Sequence, residues 1–153
     1  MTTVVDKPAD LAAYVGQKLG VSEWIGFEQS DIDAFAALTG DDHWIHVDVE
    51  RAARDMPDGK TLVHGFLTLS RIPRLQRTTF NIVNRGKGLN YGCNRVRFTS
   101  PLQVGSRVRL HQTLKAFEQV AGGVRLTFDC TIEVEGQERP ALVAETVLQI
   151  FDK

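Results

Sequence analysis

Apolar and polar residues alternate in the stretch Val124-Arg-Leu126-Thr-Phe128-Asp-Cys130-Thr-Ile132-Glu-Val134. Successive side chains of a β-strand point to opposite faces, so this alternation predicts a strand with one buried face. An apolar sheet face must be covered by a second layer of structure. The stretch therefore favours a domain in which a sheet packs against something else.

Further β-rich runs surround this strand, and glycine- or proline-containing turns separate them. The runs are Gly88 to Phe98, Ser106 to Phe117 and Leu142 to Phe151; the turns are Pro101 to Gly105, Gly122-Gly123 and Gly136 to Pro140. This spacing predicts a long antiparallel meander.

Helical patterns dominate the first half of the chain. Ser30 is the predicted N-cap of a helix that Gly40 ends. A second apolar stripe begins at Gly65, and Pro73 predicts a kink or an end near it. This second helix is the natural cover for the sheet, so the predicted fold class is α+β in a single domain spanning residues 1–153. Shorter elements are predicted as a helix at Asp10–Val15, a strand at Val21–Phe27 and a helical turn at Val49–Arg54.

Composition and charge exclude several classes of protein. A formal net charge of −1 gives no overall attraction to nucleic acid or to an anionic membrane. Only two cysteines occur, in no metal-binding or disulfide pattern. No signal peptide and no apolar run of the roughly 20 residues needed to span a bilayer is recognised, so a cytoplasmic protein is expected.

The stretch Asp41-Asp-His-Trp-Ile-His46-Val-Asp48 follows the first helix directly and has no clean period. It is predicted to be a loop, and a histidine beside a carboxylate is the commonest general acid–base arrangement. Two structural alternatives stay open at this point. Asp41 or Asp42 is able to cap the following turn, and His46 is able to be a packed core residue.

The longer stretch Leu38-Thr-Gly-Asp41-Asp-His-Trp-Ile-His46-Val-Asp48 resembles the hydratase 2 motif of the MaoC-like family. Two later segments resemble the same family. Leu62-Val-His-Gly65-Phe-Leu-Thr-Leu69 resembles the segment at the start of the family's central helix, and Asn90-Tyr-Gly-Cys-Asn-Arg-Val-Arg-Phe98 resembles a strand of its mycobacterial and NodN-like members. The resemblance implies a hot-dog fold, in which an antiparallel sheet wraps around a central helix, and a homodimer.

The resemblance also implies an activity, that of an (R)-specific enoyl-CoA hydratase, a hydro-lyase of fatty acid metabolism. Asp41 and His46 would be the catalytic pair that adds water to a trans-2-enoyl thioester carried on coenzyme A or acyl carrier protein. The backbone N–H of Gly65 would form the oxyanion hole. No metal and no cofactor would be required, and neither nucleic acid nor membrane would be a partner.

Other residues receive supporting roles. The family usually has Asn-Pro where this chain has His43-Trp44, so we expect His43 to support the site without doing chemistry. Asp48 is expected to orient the loop or to cap the helix that follows. The candidate substrate-binding residues are His64, Asn90, Tyr91 and Asn94; His64 alternatively has a structural role, and the other three alternatively satisfy strand backbone.

Two rival functions and one charge feature remain. A hot-dog acyl-CoA thioesterase would share the fold and the ligand, and a non-catalytic acyl-CoA-binding module would bind acyl-CoA without a reaction. The segment from Arg71 to Arg109 is rich in arginine and offers a local site for the phosphates of coenzyme A. The alternative is a set of solvated surface arginines.

Overall fold

A computed structural model describes residues 1–153. The strands are β1 (Thr3–Val5), β2 (Lys18–Val21), β3 (Ile25–Gly26), β4 (Phe80–Ile82), β5 (Gly88–Arg97), β6 (Arg107–Val120), β7 (Gly123–Val134) and β8 (Leu142–Phe151). The helices are a 3-10 helix at Pro8–Tyr14, α1 (Gln29–Thr39), α2 (Trp44–Val47), α3 (Val49–Asp55), α4 (Gly65–Ser70) and α5 (Ile72–Gln76). The predicted α+β class is confirmed.

One antiparallel sheet dominates the structure, with strand order β2-β6-β7-β8-β5 and β3 paired to β6. The alternating stretch becomes β7, whose inward residues Leu126, Phe128 and Ile132 have no exposed surface. A short parallel pair of β1 and β4 lies apart from this sheet.

The predicted long meander is only partly correct, because β5 pairs with β8 and not with β6. One edge of β6 pairs with β7, and its other edge is taken by β2 and β3. The connection from β5 to β6 therefore crosses to the far side of the sheet, burying Leu102 on the way. No pattern in residues 18–26 indicated that they would occupy that edge.

The helix predicted from Gly65 covers the inner face of the sheet, as two short pieces. The break falls at Arg71, so Pro73 lies in the first turn of α5, where a missing N–H costs little. Leu67, Ile72 and Leu75 point inward and belong to a core cluster of 25 buried residues. Burying each such side chain contributes about 1.5–3 kcal/mol. No helix of the structure is long and apolar enough to cross a membrane.

Three shorter predictions need correction. Helix α1 starts at Gln29 with Glu28 as its N-cap, because the Asp31 carboxylate accepts the Glu28 N–H at 2.9 Å; Ser30 lies inside the helix. The predicted strand Val21–Phe27 is two short strands. The predicted helix Asp10–Val15 is the 3-10 helix Pro8–Tyr14, in which the Asp10 carboxylate accepts the Lys7 N–H at 2.9 Å.

Candidate active site

The segment predicted as an active-site loop begins where α1 ends. Gly40 adopts a left-handed conformation with φ of 80° and turns the chain out of the helix, which leaves Asp41 exposed. Residues Trp44–Val47 then form the short helix α2, so the prediction of a loop throughout is wrong. The His43 ring supplies the missing cap signal, because its Nδ1 accepts the Ile45 N–H in a long hydrogen bond of 3.5 Å. The His43 side chain thus starts the helical turn that carries His46.

His46 is held in one orientation by one hydrogen bond at its ring and one at its backbone carbonyl. Its Nδ1 lies 2.7 Å from the carbonyl oxygen of Leu62. A carbonyl oxygen only accepts, so Nδ1 carries the proton and Nε2 of the neutral ring keeps a free lone pair. The His46 carbonyl accepts a hydrogen bond from Gln29 Nε2 at 2.7 Å. His46 is therefore oriented as a proton acceptor at Nε2.

His64 lies next to both Asp41 and His46, and only 2% of its surface is exposed. Its ring stacks on the His46 ring with centroids 3.8 Å apart, and its Nε2–H donates to the backbone carbonyl of Asp41 at 2.8 Å. Its Nδ1 is buried without a hydrogen-bond partner. These contacts support the structural alternative for His64, since one buried ring contacts both Asp41 and His46.

The functional atoms of Asp41, His46 and His64 all lie within 4.8 Å of one another. Such a group is able to bind a metal ion only if the donor lone pairs converge on it. The rings of His46 and His64 are stacked, 22° from parallel, so their lone pairs lie in two separate, nearly parallel planes. This geometry suits a metal poorly, and the expectation of a metal-free site stays a prediction.

Asp41 opens onto a cavity of about 470 Å³ that Phe35, Thr39, Phe66, Leu69 and Ser70 also line. Most of this lining is apolar. Ser70 is a functional candidate that the sequence did not single out; its hydroxyl donates to the Leu67 carbonyl at 2.7 Å, which leaves its oxygen lone pairs free to accept. Its only sequence signal is a second polar residue, after Thr68, at the end of a mainly apolar helix.

Gly65 is the first residue of α4, and its backbone N–H donates to no protein acceptor. The first N–H groups of a helix have no partner within the helix, so a free donor is expected there. A Cβ at position 65 would lie 2.9 Å from the ring of Phe98. Glycine therefore lets the Phe98 ring pack directly against this backbone.

The remaining predicted residues lie away from the pair. The Asp48 carboxylate accepts the Arg51 N–H at 2.9 Å and caps α3, which supports the capping alternative. Asn90, Tyr91 and Asn94 lie on the exposed edge strand β5, and none of them lines the cavity of Asp41. Asn90 does line two neighbouring cavities beside α5, and its role in substrate binding stays a prediction. The guanidinium of Arg125, which lies 4.1 Å from the Tyr91 ring centroid, holds that ring at the outer face of the sheet.

Comparison with known proteins adds to this geometry. A family model described as "MaoC like domain" matches residues 10–133. The chain belongs to the MaoC-like family. This MaoC-like chain is 46% identical over 142 residues to 3-hydroxyacyl-thioester dehydratase Z of Mycobacterium tuberculosis, covering 92% of this chain and 93% of the relative. It is 45% identical to nodulation protein N of Rhizobium leguminosarum bv. viciae, covering 94% and 91%.

The same MaoC-like fold occurs among solved structures. An (R)-hydratase from A. caviae involved in PHA biosynthesis superposes with a TM-score of 0.66 at 26% identity, covering 88% of this chain and 94% of that one. The family assignment and the hot-dog fold predicted from the sequence are both confirmed.

Proposed function

We propose that this MaoC-like protein is an (R)-specific enoyl-CoA hydratase, which reversibly adds water to trans-2-enoyl-CoA to give (R)-3-hydroxyacyl-CoA. The observation that carries the proposal is the separation of the Asp41 carboxylate and the His46 ring nitrogen, which lie within 4.8 Å of each other. A water that hydrogen-bonds to both at about 2.8 Å, at a tetrahedral angle, spans roughly 4.6 Å. A separation near this upper bound accommodates one bridging water.

The proposed chemistry follows from the protonation of the pair. The ionised Asp41 carboxylate and the His46 Nε2 lone pair both accept hydrogen bonds, so they orient the water with its oxygen lone pair outward. As the oxygen bonds to C3, one member of the pair takes a proton from the water, and the pair delivers one proton to C2. Oxygen and hydrogen then arrive from the same side, which gives syn addition.

Negative charge develops on the thioester oxygen during this step, and Gly65 is the proposed donor to it. The support is its unpaired N–H, which begins α4 immediately after His64. Preorganised backbone donors of this kind stabilise an oxyanion without any reorganisation. The proposed reaction, not the role of Gly65, is supported by the name of one relative, a 3-hydroxyacyl-thioester dehydratase, because dehydration is the reverse direction.

A homodimer is part of the proposal. Strand β5 hydrogen-bonds only to β8, and nine of its ten residues are exposed. A long exposed edge strand pairs readily with another chain. Leu89 and Tyr91, exposed by 51% and 60%, add apolar surface to it. A two-fold interface through β5 would bury this surface.

Sedimentation at micromolar concentration should give twice the mass of the 17.0 kDa chain; a single-chain mass would contradict the dimer.

The activity is tested by following the loss of enoyl absorbance with crotonyl-CoA. The product should be the (R)-3-hydroxy thioester, identified with a dehydrogenase specific for that enantiomer. A chromogenic disulfide in a parallel sample measures thiol release. Loss of absorbance without free thiol supports the hydratase. Thiol release at a comparable rate would support the thioesterase, and tight binding without either reaction would support a non-catalytic module.

The carrier and the location are finer parts of the proposal. A parallel series with acyl carrier protein thioesters compares the two carriers directly, and the carrier with the larger kcat/KM is the physiological class. The cytoplasmic location, the absence of a cofactor and the absence of a nucleic acid partner stay predictions.

A further inference from the structure

Two more cavities continue the Asp41 cavity along the helices. The first has a volume of about 330 Å³ and shares Leu69 and Ser70 with the Asp41 cavity. The second has a volume of about 380 Å³ and shares Pro73 and Gln76 with the first. Because neighbouring cavities share these residues, the three cavities lie in a row along α4 and α5, and the two further ones are flanked by β5 and β8, with β4 beside the larger of them. We call this row of cavities the groove. The groove starts at Asp41 of the proposed catalytic pair and ends beyond the C-terminus of α5.

The lining changes along this groove. The middle cavity is mainly apolar, with Ile72, Val147 and Leu148 among its walls. The far cavity is mainly polar, and Arg77 and Arg85 lie at its wall. No aspartate or glutamate lines either cavity. The far end of the groove is therefore positively charged, while the protein as a whole has a net charge of −1.

The two arginines have no acidic partner. Neither forms an ion pair, in contrast to Arg71, which pairs with Asp31 at 3.1 Å. The Arg85 guanidinium lies against β5, since a Cβ at Gly88 would come within 2.9 Å of its Nη1. Any side chain at position 88 would displace the Arg85 guanidinium. The absence of a side chain there lets the charge lie over the groove.

Gln76 adds a hydrogen-bond donor at the same place. Its Oε1 accepts from Gln112 Nε2 at 2.8 Å, and Gln112 is completely buried. With the oxygen of Gln76 fixed toward Gln112, its two amide N–H donors remain for the cavity that Gln76 lines. Donors from Gln76, Arg77 and Arg85 thus meet at one end of the groove, and this combination of positive charge and N–H groups suits a carboxylate or a phosphate.

We propose that this end of the groove is a subsite for an anionic group at the far end of the acyl chain, which makes ω-carboxylated enoyl thioesters a preferred substrate class. The inference rests on the proposed function for its orientation. With the carbonyl at Gly65 and C3 at the catalytic pair, the acyl chain continues past Ser70 into the groove. Gly65 also lines a separate cavity of about 320 Å³ with Phe98 and Pro101 on its other side, which leaves room for the carrier.

The length of the groove determines which length of acyl chain would reach the arginines. Arg77 lies seven positions after Ser70, and Arg71 at the break between α4 and α5 keeps a right-handed helical conformation. A helical rise of 1.5 Å per residue therefore gives about 10 Å. An extended alkyl chain with bonds of about 1.5 Å advances roughly 1.25 Å per bond. The distance from C3 to the terminal carboxylate is therefore about seven or eight bonds, as in a ten-carbon chain.

The test compares two ten-carbon substrates, trans-2-decenedioyl and trans-2-decenoyl thioesters, each on coenzyme A and on N-acetylcysteamine. The readout is the ratio of kcat/KM for the carboxyl-ended over the methyl-ended chain. It is measured in the wild type, in the double variant Arg77→Gln/Arg85→Gln, and in Arg74→Gln as the matched control. Arg74 is an exposed arginine of α5 that does not line the cavity.

The wild type should favour the carboxyl-ended chain by about tenfold on both carriers. The ratio should fall toward one in the double variant and stay unchanged in Arg74→Gln. A ratio near one in the wild type would overturn the proposal. A loss in the double variant that appears with both chain ends on coenzyme A, and never on N-acetylcysteamine, would also overturn it, because the bound anion would then be a carrier phosphate.

A binding measurement separates this subsite from the reaction itself. Calorimetry with saturated decanedioyl-CoA and decanoyl-CoA gives the same comparison without turnover. Tighter binding of decanedioyl-CoA that depends on Arg77 and Arg85 supports the subsite even if crotonyl-CoA is not hydrated. Equal binding of the two ligands overturns the subsite even if crotonyl-CoA is hydrated rapidly.

Discussion

The oxyanion role of Gly65 is testable because proline removes only the N–H at this position. His64 has φ of −58° and ψ of 136°, the extended conformation that a residue before proline prefers. Gly65 is the first residue of α4, where proline is favoured. The backbone therefore accommodates Gly65→Pro without breaking a hydrogen bond.

Steric contact with Phe98 must be separated from the loss of the N–H. A Cβ at position 65 would lie 2.9 Å from three atoms of the Phe98 ring, so Gly65→Ala and Gly65→Pro both displace it. Alanine keeps the N–H, which makes Gly65→Ala the matched control. A Phe98→Ala background removes the collision from both variants, and the half-exposed Phe98 ring lies outside the core cluster.

The expected magnitude comes from removing one oxyanion donor, about 2.7–4 kcal/mol or roughly 10²–10³ in kcat. In the Phe98→Ala background, kcat of Gly65→Pro with crotonyl-CoA should be lower than that of Gly65→Ala by this factor. KM should change less, because the charge develops only in the transition state. Circular dichroism checks that both variants fold. Values of kcat within about threefold of each other, far below that range, would refute the oxyanion role of Gly65.

Three further perturbations probe the site and the core. His43→Asn should retain most activity and an unchanged pH–rate profile in steady-state assays, because asparagine caps a helix as well as histidine does; a loss as large as that of Asp41→Asn would make His43 a proton-transfer group. His64→Phe keeps a ring against His46 but loses the hydrogen bond to the Asp41 carbonyl, so kcat should fall roughly tenfold with little change in KM; an unchanged kcat would contradict its positioning role. Burial raises the pKa of the Cys130 thiol from 9.0 to about 11, so stability present below pH 9 is lost as pH rises toward 11. Urea unfolding should show a decrease of up to about 3 kcal/mol over this range in the wild type, and Cys130→Ala should lack it; identical pH slopes would contradict this.

Elements with a strong local period were predictable from the sequence. Strand β7 was correct to within one residue because its alternating side chains bury one face only. The end of α1 at Gly40 and the break before Pro73 were predictable for a similar reason, since each depends on the backbone of one residue. The position of β5 beside β8 was not predictable, because pairing depends on which edges the other strands leave free.

In the candidate site too, features set by neighbouring residues in the sequence were predictable, and features set by tertiary packing were not. The motif from Asp41 to His46 was visible in the sequence because its members are close along the chain. The contacts of His64 were not, because its stacking on His46 joins residues 18 positions apart. Ser70 and the groove beyond it depend on how α4 packs against β8, which no local pattern encodes.

The central claim is that Asp41 and His46 share one water and move its protons, and Asp41→Asn tests it most directly. Asparagine keeps the size and still binds water, but it cannot accept a proton. Asp42→Asn, at the neighbouring exposed position, is the matched control, and circular dichroism confirms folding. Hydration of crotonyl-CoA should fall by at least about 10² in Asp41→Asn and stay near wild type in Asp42→Asn. Retention of more than about a tenth of wild-type kcat by a folded Asp41→Asn, outside the range for a positioned acid–base group, would contradict the mechanism.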